Sequence, residues 1–449
     1  MPQRSLADDI YGYLAEDEDA RVCREIPPEA CNEQPRSFLL QLVSLTLTRL
    51  GDTLISPRLV LAWMLSALAA PAIFIAFLVP LRESFALLPQ LLIAQYLRER
   101  PVRKGFWVAG AFGQAIALLA MILAVLWLDG AALGWAVVAA LAVFSLARGV
   151  CSVTAKDVLG KTVSKTRRGR LTGQAASAAG GATLLVAATI MFAPVFLPDV
   201  EGSRLLFATL LGGSAALWIL AGWLYGAIPE VPGATSGGGN AFAEAWRSVG
   251  LLVRDRQFAA FVQARALLVA SAFAIPYIVV LVQRAAEENM QRAGESGATT
   301  LGAMLLASGL AALLGGAAWG KLADRDARVA MIAGALLSVL VMIAALLLHV
   351  FQREWLGTSG VAAALLFTAA VAHDGARVGR KTYLVDMAGS DRRAQYVAVS
   401  NTVMGVVLLA GVLLGWLDQV FGAAGVLVLL AALGVLAAIR CRRLPGVSG

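Results

Sequence analysis

Seven charged or titratable side chains interrupt long apolar runs in this chain of 449 residues: Arg49 and Asp52, Arg82 and Glu83, Arg148, and His373 with Asp374. Their types suit two kinds of chemistry. A carboxylate can take up and release a proton, and a guanidinium can bind an anion or hold a carboxylate. Histidine titrates near neutral pH, although a lone histidine is more often satisfied locally. Spacing then says who can meet whom. Arg49 and Asp52 are three residues apart, so on a helix they share a face and partly neutralise each other. Arg82 and Glu83 are adjacent and point about 100° apart. They cannot satisfy each other, so at least one must face another helix or a cavity. Arg265 lies about two turns into a further apolar run and is expected to snorkel to the surface.

Those residues need elements to hold them. The chain is 59% hydrophobic and 15% charged, with a mean hydropathy of +0.76, whereas a soluble domain carries about 25% charged residues. Apolar runs of about 20 residues span a bilayer as helices, and continuous runs exclude the alternation of a barrel strand. The runs predict an all-α membrane protein with twelve transmembrane helices over 36–60, 72–97, 105–127, 133–155, 171–193, 204–226, 258–284, 299–320, 328–350, 357–379, 395–417 and 420–440. In loops after odd-numbered spans the basic residues are Arg204, Arg284, Arg292 and Arg353; loops after even-numbered spans carry most of the rest. The positive-inside rule then places both termini in the cytoplasm. The net charge of +8 reflects this topology and implies no nucleic acid.

The chain divides into an acidic tail (1–35), two bundles of six helices (36–226 and 258–440), a linker (227–257) and a short tail (441–449). The linker holds PEVPGATSGGGN and then an amphipathic EAWRSVGLLVRD. The division rests on a repeat. At an offset of 225 residues Leu97 matches Leu322, Glu99 Asp324, Arg100 Arg325, Arg103 Arg328 and Lys156 Lys381. Such self-similarity marks two pseudo-symmetric halves. Because each half has an even number of spans, the repeat is parallel. Cys23, Cys31 and Cys441 fall on the reducing side and Cys151 in a helix, so no disulfide is expected. Most of the ten Trp residues sit near predicted helix ends, as an interfacial belt requires; Trp218 does not, and would face the cavity or lipid.

The stretch GKLADRDAR (320–328) resembles the loop between the second and third helices of each half in the major facilitator superfamily. Gly320, Leu322, Ala323, Asp324, Arg325 and Arg328 match its general pattern, Gly-x-Leu-Ala-Asp-Arg-x-Gly-Arg. The first copy departs from it, with Gln95 for the Gly and Glu99 for the Asp. Gly180 and Gly181 fit a motif of exchangers, but Ala176 and Ser177 stand where Gly and Pro would be, which leaves direction open. The resemblance implies a secondary transporter working by alternating access around a midplane cavity. In it Asp52 would be a coupling acid and Arg148 an anion-binding or Asp-pairing cation. Glu99, Arg100, Arg103, Gly320, Asp324, Arg325 and Arg328 would form conformational latches, with Glu99 and Asp324 as the switching carboxylates.

The expected partners are protons, membrane lipids and a small-molecule substrate, anionic or zwitterionic. A monomer in a bacterial inner membrane is expected. The chain shows no nucleotide-binding Gly-Lys loop, no metal-spaced His/Cys cluster and no nucleophile with a base, so no enzymatic activity, cofactor or metal is expected. The alternative is a non-transporting protein of the same fold that acts in complex assembly or sensing.

Overall fold

The computed structural model describes Tyr11, 26–88, Ile93, 96–97, 99–196, 204–233, Thr235, 250–293, 297–388 and 393–446. All regular structure among these residues is helical. The main helices are α1 (Gln34–Leu54), α2 (Val60–Ala67), α3 (Ile73–Leu87), α4 (Lys104–Trp127), α5 (Gly130–Thr162), α6 (Lys165–Phe196) and α7 (Arg204–Gly226). They continue with α8 (Arg256–Leu268), α9 (Ala270–Ala293), α10 (Gly297–Arg325), α11 (Ala327–Phe351), α12 (Ser359–Met387), α13 (Arg393–Ala410) and α14 (Leu413–Arg442).

Among the described residues, nine helical segments are long and apolar enough to cross a membrane. The chain is an integral membrane protein. Three predicted spans are helical but fall short of that standard. One is α1, which carries Arg36, Gln41, Arg49 and Asp52; the others are the shorter α3 and α13.

Boundaries moved for physical reasons. The first predicted span stops at Leu54, and α2 starts afresh at Val60. Pro57 lies between them and has no N–H to continue a helix. The seventh span divides at Val269 into α8 and α9. Helices α5, α10 and α12 run past their apolar stretches into charged residues, because backbone hydrogen bonds do not stop where hydropathy does. Near the C-terminus α14 bends at Gly422, φ +68°, a left-handed conformation that glycine adopts at little cost. The part of the 227–257 linker that is described holds one helical turn, Leu251–Arg254, and the first two residues of α8.

Helices α4 and α5 pack together, as do α4 with α7, α1 with α7, and α3 with α5. In the second half α12 packs on α10 and α11, and α14 on α11 and α9. The halves meet along α6–α10, α3–α13, α3–α14 and α2–α9. These contacts lie from mid-helix toward the connections that follow odd-numbered spans. Gly302 abuts Met191, Gly309 abuts Leu184 and Thr183, and Gly415 abuts Ala76 and Ile73. Ser84 donates to the Gly405 carbonyl at 2.8 Å, and Ser66 to Gln283 at 2.6 Å. A cavity lined by residues of both halves lies between them.

One expectation fails in the acidic tail. Cys31 is disulfide-bonded, whereas Cys151 and Cys441 are free and buried. The expectation rested on redox compartment, which does not govern whether two sulfurs lie close together.

Candidate functional site

Asp52, near the end of α1, takes two arginines from two other helices. Arg82 of α3 donates to Oδ1 at 2.9 Å, and Arg148 of α5 reaches Oδ2 at 3.0 Å through a terminal nitrogen and 3.1 Å through Nε. The guanidiniums also lie over aromatic rings, Arg82 over Phe144 at 5.2 Å and Arg148 over Trp218 at 5.5 Å. Such cation–π contacts strengthen when water is excluded. Trp218 is fully buried among Trp107 and Phe144. It therefore faces neither lipid nor the cavity, but forms the floor beneath Arg148. Arg49 shares the α1 face with Asp52 yet makes no ion pair with it. The better-placed arginines of α3 and α5 have already filled both carboxylate oxygens.

Glu83 points away from Arg82, as adjacency requires, and receives Arg58 from the break after α1 at 2.8 Å. On α12, Asp374 pairs with Arg377 one turn on at 2.8 Å. His373 is buried and its Nδ1 meets the Ser271 hydroxyl at 3.1 Å. Arg265 does not snorkel. It crosses to α13, donating to Ser400 Oγ at 2.5 Å and to Asn401 Oδ1 at 2.9 Å.

These residues line one cavity of about 730 Å³ that enters from both halves. Asp52, Arg58, Glu83 and Lys156 line it from one half, and Arg265, His373, Asp374, Arg377, Arg380 and Lys381 from the other. A neighbouring cavity of about 390 Å³, which shares Asp52, Asp374 and Arg377 with it, adds Arg49 and Thr183, and another of about 450 Å³, which shares Asp52, Arg58 and Glu83, adds Arg82 and Arg148. The lining thus holds nine basic residues against Asp52, Glu83 and Asp374. Four arginines are consumed by those three carboxylates. The other five, Arg49, Lys156, Arg265, Arg380 and Lys381, make no ion pair among the described residues. The sequence reading singled out neither Arg58 nor Arg377 nor Arg380. Arg58 lies within the predicted span 36–60, near its end, Arg377 lies at the polar end of the predicted span 357–379, and Arg380 lies just past it.

Comparisons with known proteins separate fold from sequence. No protein-family model matches the chain, and no curated protein matches either. Solved structures do. The nucleoside transporter NupG aligns with a TM-score of 0.65 at 12% identity, over 92% of this chain and 99% of that one. A D-xylose-proton symporter aligns at 0.64 and 16% identity, over 92% and 98%. A bacterial homologue of the human lysosomal transporter Spinster, inward-facing and occupied, aligns at 0.59 and 13% identity, over 90% and 95%. The chain has the major facilitator fold.

The two loops expected as latches follow the second predicted span of each half, and the structure fills them unequally. In the first, Glu99 is exposed. Arg100 bonds Tyr96 at 3.3 Å and stacks on its ring. Arg103 is buried and pairs with Asp157 of α5. Asp157 also holds Lys161 at 2.9 Å, and Lys161 holds Glu230 at 3.1 Å. Glu230, with a fully buried side chain, accepts from the backbone N–H groups of Arg103 at 2.9 Å and Lys104 at 2.7 Å. It caps the positive end of α4, where a carboxylate is favoured. In the second loop Asp324 and Arg325 are exposed, and Gly320 has open space around it. The capping carboxylate there is Asp326, which accepts from Arg328 N–H at 2.8 Å and from its guanidinium at 2.8 Å. Arg328 continues to the Leu444 carbonyl at 3.2 Å. Both loops thus contain a carboxylate capping the third helix of its half, but the caps are Glu230 and Asp326. Glu230 lies 127 residues from the N–H it caps, beyond the reach of local spacing rules.

Proposed function

We propose that this protein is a secondary transporter that carries a small anionic solute through the central cavity by alternating access, with Asp52 as its proton-coupling acid. One observation carries the reading. A single carboxylate joins α1, α3 and α5 by holding Arg82 and Arg148 at the wall of a cavity with surplus positive charge. Protonating Asp52 would remove the charge that both arginines share. They would then be free to bind an anion, or to let α1 move against α3 and α5. A binding site shared between halves that meet on one side suits rocking of one half against the other. The halves meet toward the odd-numbered loops, so the cavity of this conformer opens toward the termini, which the loop charges assign to the cytoplasm.

The cation surplus favours an anion over a zwitterion. Focused positive potential raises the local concentration of negative solutes, and Lys156 and Lys381 at the exposed end would draw them in. The latch residues Arg103, Asp157, Lys161 and Glu230 would hold this conformer and release in the other.

The test is uptake into proteoliposomes of radiolabelled small anions, with and without an inward proton gradient. Wild type should accumulate at least one anion, faster with the gradient. Asp52→Asn should lose gradient-driven accumulation while retaining exchange. If Asp52→Asn accumulates solute as wild type does, Asp52 is not the coupling acid. Retained function in the cell by Asp52→Asn and Arg148→Gln, with loss on deleting 1–35, would favour a sensing or assembly role.

A further inference from the structure

A small niche between α3, α8, α12 and α13 shares Arg58, Glu83, Arg265, His373 and Arg380 with the lining of the cavity. Its volume is about 40 Å³, and its polar lining is Arg58, Glu83, Arg265, His373 and Arg380. The rest of its wall, Val269, Ala272, Met404 and Leu408 among it, is apolar. Charge does not balance here. Glu83 is taken by Arg58 at 2.8 Å, and His373 is committed to Ser271. That leaves two guanidiniums without a carboxylate among the described residues, Arg265 and Arg380.

Arg265 is the more informative. Its two terminal nitrogens are held by neutral acceptors, Ser400 and Asn401. These fix the plane of the fork without neutralising it. Its Nε is buried and has no hydrogen-bond partner in the described structure. A buried donor left unmade is costly, and a buried cation without a counter-charge more so. An oriented, unneutralised arginine is how proteins prepare a carboxylate or phosphate site, because the guanidinium matches such oxyanions in shape and charge.

We propose that Arg265 and Arg380 form an oxyanion subsite that seats the carboxylate, phosphate or sulfate head of the transported solute. The inference rests on the transporter reading and names the chemistry of its substrate. Size supports a head group. A water needs roughly 10–15 Å³ of such volume, so the niche takes a few-atom oxyanion, and the remainder of the solute extends into the 730 Å³ cavity. In this conformer Arg82 and Arg148 are engaged by Asp52, which separates the anion-reading end from the proton-reading end. The two ends lie on opposite halves, so bound solute would bridge them.

The experiment is binding to the detergent-purified full chain at constant ionic strength, read by isothermal titration and thermal shift. The probes are inorganic phosphate, glycerol 3-phosphate, succinate and lysophosphatidic acid, with glycerol as the neutral control. At least one anion should bind saturably and glycerol should not. Arg265→Gln and Arg380→Gln should each weaken that binding about tenfold or more, the scale of one lost charge-assisted hydrogen bond. Arg265→Lys should fall between, and Arg353→Gln, on the far surface, should bind as wild type. Binding of the soluble anions points to a soluble solute, and binding of lysophosphatidic acid alone to a lipid head group. No saturable anion binding, or equal binding in folded Arg265→Gln and Arg380→Gln, overturns the subsite. Arginine-dependent binding without flux in proteoliposomes would overturn the transporter reading and leave the subsite standing. Flux of a neutral solute unchanged by Arg265→Gln would do the reverse.

Discussion

Asp52 is surrounded by more positive charge than it can neutralise, and this sets what its loss should cost. Removing one partner of a buried pair costs about 3–5 kcal/mol because the other charge is stranded. Here the three side chains keep 15–26% exposure to the cavity, so water screens part of that loss. We expect Asp52→Asn to destabilise the protein by about 2 kcal/mol. The check is thermal unfolding in detergent, where Asp52→Glu should recover part of the fall. A second residue-scale prediction concerns Asp326. Its carboxyl is held below the ordinary carboxylate range, chiefly by the hydrogen bond from the Arg328 side chain and then by backbone N–H groups. A depressed folded-state pKa gives stability that is present above the unfolded value and lost as pH falls through the folded one. Wild type should therefore lose stability on the acid side of about pH 4 by a component that Asp326→Asn lacks. Parallel acid unfolding curves for the two proteins would sink this.

Helix ends decide the next scale. α2 stops with Ala69 at φ +52°, and Ala70 N–H bonds back to Leu65 O at 2.9 Å, the pattern of a helix ended by a left-handed residue. Glycine occupies that conformation without the Cβ clash alanine suffers. Ala69→Gly is expected to stabilise the protein by about 0.5–1 kcal/mol; an unchanged or lower melting temperature would contradict it. Glu230 is the opposite case, an irreplaceable cap. Glu230→Ala removes acceptors for Arg103 and Lys104 N–H and leaves Lys161 with Asp157 as its remaining carboxylate partner. Hydrogen bonds to a charged group contribute about 1.5–3 kcal/mol each. Faster amide exchange in the first turn of α4 is the expected readout, with exchange in α11 unchanged.

At the scale of the whole molecule, the close approach of the two halves depends on residues without side chains. A Cβ on Gly302 would sit 2.5 Å from the Met191 backbone nitrogen, and one on Gly180 would sit 2.6 Å from Leu313. Backbone cannot step aside as a flexible side chain can. Gly302→Leu should therefore wedge α6 from α10 and disfavour this conformer. Spin labels across the α6–α10 contact should report a longer distance than in wild type, while labels within one half stay put. An unchanged distance would mean that the contact does not control the conformer.

Much was legible from local chemistry. Apolar runs carry their own hydrogen bonds into lipid, so helix positions followed from hydropathy, and the major facilitator fold followed from the 225-residue repeat and GKLADRDAR. A charge inside an apolar run is costly wherever the chain folds it, so Asp52, Arg82 and Arg148 stand out from the residue pattern alone. Pairing was not legible. Sequence neighbours suggested Arg49 for Asp52, but the carboxylate is held by residues 30 and 96 positions away. Trp218 and Arg265 were misplaced for the same reason, since a helix has one sequence but its neighbours decide which face is lipid and which is cavity. The sequence by itself determined which charges must be buried. Only the tertiary structure decided who neutralises whom, because ion pairing depends on distances of a few ångströms between helices that spacing along the chain does not encode.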